Sequence, residues 1–166
     1  MRKIIFTITL LILSTTLFSQ SRISKGDRQL DAGVGLSTWG LPLYIGLDFG
    51  IQDDITVGGE LSYRSYRDKW NDDYYNHSII GIIGNGNYHF NSILDLPKEW
   101  DFYGGLNIGF YMWNSPSGYG GSGSSPLGLG LQVGGRYFLN SNLGLNLELN
   151  GGNSVSGTKF GITYKF

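Results

Sequence analysis

The chain has 166 residues, enough for one domain, with 27 glycines, 14% aromatic residues and only 15% charged ones. A formal charge of −1 without a basic footprint excludes a nucleic-acid protein, and the lack of cysteine excludes a disulfide framework and a lipidated-cysteine anchor. High glycine with high aromatic content suits tilted, closely spaced strands that have a small inner face and a greasy outer one.

Residues 1–20 read as a secretory signal. Arg2 and Lys3 form its positive start, residues 4–13 its apolar run and residues 14–20 its small, polar exit. The apolar run falls short of the roughly 20 residues that a spanning helix needs. Cleavage is expected near Gln20; it would leave ten cations against 13 acids, a charge of −3. Residues 21–28 are expected to be a polar, irregular lead-in, and residues 29–166 the folded domain.

From residue 29 the pattern takes the two-residue period of a strand. Leu30, Ala32, Val34 and Leu36 oppose Asp31, Gly33, Gly35 and Ser37, and a turn containing Trp39 follows. A second strand sets Leu43, Ile45, Leu47 and Phe49 against Tyr44, Gly46 and Asp48. After a tight turn at residues 52–54, a third sets Ile55, Val57, Leu61 and Tyr63 against Thr56, Glu60 and Arg64. Residues 67–76 are polar, aromatic and without period, which predicts a loop. A fourth strand covers about residues 77–90, with its alternation blurred where Ile79 and Ile83 point inward. Residues 91–100 predict a connection with room for one helical turn.

The fifth strand sets Phe102, Leu106, Ile108 and Phe110 against Tyr103, Asn107 and Tyr111, and a Gly/Ser-rich flexible loop at residues 114–126 follows. The sixth carries Leu127, Leu129, Leu131, Val133 and Tyr137 outward, with Gln132 and Arg136 inward. The seventh alternates most cleanly: Leu143, Leu145, Leu147 and Leu149 oppose Gly144, Asn146, Glu148 and Asn150. The last strand, residues 158–166, sets Phe160, Ile162, Tyr164 and Phe166 against Lys159, Gly161, Thr163 and Lys165.

Eight such strands predict an all-β, eight-stranded antiparallel up-and-down barrel, and charge decides which face is inside. Asp31, Asp48, Glu60, Arg64, Arg136, Glu148, Lys159 and Lys165 share a face with most of the glycines, while aromatics sit near strand ends on the apolar face as a girdle would. A soluble barrel with a greasy lumen is the competing fold, and this distribution opposes it. Buried charges must pair: folding the last hairpin about Ser154 brings Glu148 to Lys159, and closing the barrel is expected to bring Asp31 towards Lys165. Eight strands leave a lumen just filled by side chains, so a plugged core is expected rather than a pore.

The whole region after residue 20 resembles the small eight-stranded outer-membrane barrels of the OmpX and OmpA-transmembrane-domain type. Gly161, Tyr164 and terminal Phe166 resemble their C-terminal assembly signal, although Phe160 stands where that pattern usually has a polar residue. The resemblance implies an integral outer-membrane protein with Phe166 at the periplasmic end. Its partners would be membrane lipid and lipopolysaccharide, the barrel assembly machinery during insertion and a further envelope protein. OmpA-like wall anchoring does not carry over.

Chemistry is sparse. His89 suits an interior hydrogen bond near Asp101 and Tyr103. His77, beside Ser78 and downstream of Asp72 and Asp73, has the residue types of lipid A-modifying outer-membrane enzymes without their spacing. Gly118, Gly120 and Gly123 match a dinucleotide glycine pattern but no helix follows, and Asp68, Asn71, Asp72 and Asp73 lack a calcium-loop pattern. No catalytic residue, metal or cofactor is therefore assigned. Trp70, Tyr74 and Tyr75, aromatics amid charges, are candidate contacts to a partner or to lipid headgroups. A structural or partner-docking role is expected, with a lipid A-modifying enzyme or a minor channel as alternatives. Deleting Phe166 is expected to lower the fraction of chain that reaches the heat-modifiable folded form on a gel, with little change in synthesis.

Overall fold

The computed structural model describes residues 23–70, 73–114 and 126–166. The expected signal segment, the glycine pattern at 118–123 and nearly all of the Gly/Ser-rich connection lie outside them. The strands are β1 (Arg28–Ser37), β2 (Leu41–Gln52), β3 (Ile55–Trp70), β4 (Asp73–His89), β5 (Trp100–Asn114), β6 (Leu127–Phe138), β7 (Leu143–Gly152) and β8 (Gly157–Lys165). Each pairs antiparallel with its sequence neighbours, and β8 closes on β1 with Asp31 opposite Thr163 and Gln29 opposite Lys165. Closure gives every strand two partners and removes the open edges that neither water nor lipid would tolerate. Among the described residues the one short helix, α1 (Asn91–Leu94), lies in the β4–β5 connection, where the sequence leaves room for a single turn.

The period-two pattern becomes the inside and outside of the wall. Along β7, Leu145, Leu147 and Leu149 are exposed while Asn146 is 5% exposed. The same holds around the barrel, so the aliphatic residues form an outer belt and the polar ones fill the lumen. Ile79 and Ile83 do face inward and are buried. Inward glycines make sockets for the large lumenal rings. A Cβ on Gly128 would lie 2.7 Å from the Tyr111 ring, one on Gly109 would lie 2.9 Å from it, and one on Gly134 would collide with Tyr103.

Two regions differ from the sequence expectation. Residues 67–76 are not a loop: β3 continues to Trp70, β4 begins at Asp73, and Arg67, Asp68 and Lys69 pair with Asn76, Tyr75 and Tyr74. On the outward phase of this hairpin Arg67, Lys69, Tyr74 and Asn76 are exposed and take the place of aliphatic residues. No apolar alternation is then required, and the period that marks a strand elsewhere is lost. The lead-in, in turn, is irregular only as far as Asp27, and Arg28 already belongs to β1. Ile23, 1% exposed, tucks into the mouth at the end that carries Arg28 and Phe166. Its carbonyl accepts from Asp54 N at 3.3 Å, Gly26 N donates to Gly50 O at 2.8 Å, and Gly50 N donates to Asp27 O at 2.8 Å. Gly50 is required here, because a Cβ would strike Ser24 O. Replacing Ile23 by Ala should cost about 2–5 kcal/mol, read as a lower urea midpoint of the folded gel band.

Candidate functional site in the lumen

β1, β2, β5 and β6 each project one long polar side chain to the same level of the lumen. Arg136 on β6 is 1% exposed. Its Nη2 donates to Asp31 at 2.9 Å and to Asp48 at 3.3 Å, and its Nη1 donates to Asp101 at 3.2 Å. Its guanidinium carbon lies 4.2 Å from the centre of the Tyr103 ring. Three carboxylates thus share one cation, and further donors complete them. Asp31 accepts from Asn146 at 3.0 Å and from the Thr163 hydroxyl, and Asp48 accepts from Asn85 at 3.1 Å.

Below this level Asp101 also accepts from His89 Nδ1 at 2.7 Å. The other ring nitrogen, Nε2, lies 3.1 Å from the Thr56 hydroxyl. The expected interior role of His89 near Asp101 therefore has a definite geometry. Above, Lys159 on β8 sits between Glu60 of β3 at 2.7 Å and Glu148 of β7 at 3.0 Å. Glu148 also accepts from the Tyr103 hydroxyl at 2.9 Å, and this contact joins the two clusters. A cavity of about 20 Å³ remains among Asp31, Asp48, Glu60, Arg136, Glu148 and Lys159, room for roughly one water.

Of the pairings expected from sequence, Glu148 with Lys159 is present and Asp31 with Lys165 is not. The β1–β8 register puts Lys165 one inward step below Asp31, and its ammonium meets Asp27 of the lead-in at 3.0 Å instead. Arg64 forms no ion pair among the described residues. It donates to the hydroxyls of Ser37 and Ser62, each at 3.2 Å, and its guanidinium carbon stands 5.9 Å from the Tyr111 ring centre.

The upper end of the lumen is aromatic. Trp39, Tyr66 and Trp113 pack over Ile79, Ile83 and Tyr111. Trp39 lies 5.5 Å from Tyr66 and 5.2 Å from Trp113 between ring centres. His77 is buried in this layer, stacked on Tyr66 at 4.9 Å. Ser78, the next residue, belongs to the opposite phase of β4, so the strand does not bring the two side chains together. The side chains of Asp68, Trp70 and Asp73, and all of Asn71 and Asp72, lie outside the described residues. Tyr74 is 69% exposed on the hairpin and Tyr75 is half-buried. In β8, Gly161 makes room for the Tyr44 hydroxyl, 2.7 Å from where its Cβ would be, while Tyr164 and Phe166 face outward.

Asp101, Tyr44, Asn146 and Asp27 belong to the network although sequence reading left them out of it. Asp101 sits directly opposite Arg136 in the β5–β6 ladder. Its place at the first inward position of β5 was the available signal, but the long β5–β6 connection hid the register.

This polar-lumen, apolar-wall barrel has the architecture of the small eight-stranded outer-membrane barrels. It aligns with OprG from Pseudomonas aeruginosa at a TM-score of 0.62 and 14% identity, over 89% of this chain and 99% of that one. Ail, the attachment invasion locus protein of Yersinia pestis, aligns at 0.60 and 12%, over 86% and 99%. A de novo designed transmembrane β-barrel aligns at 0.56 and 15%, over 87% and 99%. No family model and no curated protein matches the sequence. The molecule has the fold of the eight-stranded outer-membrane β-barrels.

Truncating Arg136 to Met should be the most damaging single lumenal change, about 3–5 kcal/mol, because it strands three buried carboxylates. Adding Asp31→Asn to it should recover part of that loss. Urea titration of the folded band in lipid vesicles measures both, and equal midpoints for the single and double variants would contradict the shared-cation arrangement.

Proposed function

We propose that the chain is a non-catalytic barrel of the bacterial outer membrane, plugged in its lumen, that acts as a structural and partner-docking component. Arg28 and Phe166 then lie at the periplasmic end, and the β3–β4 hairpin stands outside the cell. The Arg136-centred network carries this reading: it crosses the lumen from β6 to β1, β2 and β5 and leaves space for about one water. Hydrated ions have no passage through such a section without breaking it.

The docking half of the reading is supported by the hairpin. β3 and β4, at 16 and 17 residues, far exceed the 10, 10 and 9 of β1, β7 and β8. The excess crosses no membrane and presents exposed Tyr74 among charged residues, an arrangement suited to a partner contact. Ail, solved in complex with the heparin analogue sucrose octasulfate, is a precedent for ligand contact on this fold. Lipid A chemistry is poorly served, since the one histidine near the outer rim is 1% exposed and stacked under Tyr66.

Reconstituted in a planar bilayer, the chain should give no steady conductance steps, and stable nanosiemens steps would refute the plug. For docking, affinity purification after cross-linking of native outer membranes should recover an envelope partner. Tyr74→Ala should reduce that recovery about tenfold or more, the scale of an interface hot spot.

A further inference from the structure

We propose that the wall of this barrel holds one phospholipid of the periplasmic leaflet, with an acyl chain in a groove over β5–β7 and the phosphate beside Lys98. The proposal rests on the membrane orientation given above. The groove, about 520 Å³, falls within the range of small-molecule sites, about 300–1,000 Å³. Its floor is the β6 backbone at Gly134 and Gly135. Trp100 and Phe102 form one side, and Leu145, Leu147 and Phe160 form the other. All of these side chains face outward, so the groove is continuous with the membrane-facing belt and is already bathed in hydrocarbon.

Three observations separate it from the rest of that belt. Its lower rim is built of packed aromatics: Trp100 stacks on Phe102 at 5.4 Å and 12°, and meets Tyr137 at 4.9 Å. Such rings sit at headgroup level, which places the groove in the periplasmic half of the wall. Next to that rim lies exposed Lys98, the cation of a stretch, residues 90–99, that also holds Asp95 and Glu99. The connection is fixed to the end of β6 by Phe138 N donating to Glu99 O at 2.7 Å. Beside it, α1 exposes Ile93 and Leu94 at 68% and 58%, an apolar surface suited to the interface. Phe160, the residue that departs from the usual C-terminal pattern, also finds its use here as a groove wall.

A second groove serves as an internal control. It measures about 340 Å³ over Gly59, is walled by Leu30, Ile45, Leu47, Leu61 and Ile82, and includes no aromatic residue or cation among its outward side chains. It should fill with whichever acyl chains pass.

The full chain, extracted in mild detergent, is incubated with phosphatidylglycerol and examined by native mass spectrometry. One lipid should stay bound to the original protein. Val133→Trp, which fills the groove from the lipid side, and Gly135→Leu, which displaces the Phe102 ring that packs over Gly135, should lower retention about tenfold or more. Lys98→Gln should lower it about fivefold, the worth of one lysine beside an anionic headgroup. Gly59→Leu should leave it unchanged. Heat-modifiable migration checks each variant for folding and tests the barrel reading separately; Val133→Trp stands in if Gly135→Leu fails to assemble. The proposal is overturned if no lipid is retained, or if Gly59→Leu lowers retention as much as Gly135→Leu does. It is also overturned if Gly135→Leu dissolves a dimer while lipid retention holds, since the occupant would then be a second copy of this chain.

Discussion

A guanidinium on β6 that reaches carboxylates on β1, β2 and β5 ties together parts of the wall far apart in sequence. Buried charge pairs of this kind rarely add net stability over a well-packed apolar core, because desolvation consumes most of the attraction. Their worth here is of another sort. The outside of this barrel must be apolar, so an apolar lumen would leave both faces of every strand alike, and a one-residue slip would exchange them at little cost. A polar lumen makes that slip prohibitive, since it would turn Asp31, Asp48, Asp101 and Arg136 into hydrocarbon. The network therefore specifies which way the wall faces.

The rest of the interior is arranged in layers around that requirement. Ile23 and the bonded lead-in close the lower mouth, and Thr56 and His89 pass the polar chain up to Asp101. Lys159 bridges Glu60 and Glu148 one level higher, and Tyr103 couples the two charge clusters through its hydroxyl and its ring face. Arg64 meets hydroxyls rather than carboxylates, and above it the filling changes to Trp39, Tyr66 and Trp113. Ile23 thus packs at one end of the lumen and an aromatic layer at the other, with the ionic clusters between them. Glycines on neighbouring strands let the large rings cross a lumen too narrow for side chains at every inward position.

Strand existence, facing and count were legible because the wall imposes a strict physical alternation, and β7, with leucine at every second position, states it almost without noise. Pairings across a short turn were legible too: Glu148 and Lys159 follow from folding one tight hairpin. Pairings that depend on closure or on a long connection were not. The Asp31–Lys165 expectation missed by one inward step, because the β1–β8 register depends on the shear of the whole barrel rather than on either strand. Asp101 opposite Arg136 was hidden in the same way by the β5–β6 connection. The β3–β4 hairpin was misread for the opposite reason. Past the ends of its neighbouring strands nothing forces alternation, so its ladder leaves no hydrophobic trace. Ile23 gave too little pattern to reveal that a segment of mostly polar residues would cover a mouth.

The same reasoning separates what the fold demands from what this chain adds. A designed barrel shares the architecture at 15% identity, so alternation, closure and a filled lumen are conditions of being a barrel and point to no particular task. Features that those conditions do not require are better guides. A hairpin that extends past its neighbouring strands spends residues that take no share in closure. An outward glycine at 135 accepts the Phe102 ring of the neighbouring strand in place of a side chain of its own, in a groove that Trp100 and Phe160 also line. Lipid presses equally on the whole outer belt, yet only at such departures does the wall offer it a shape.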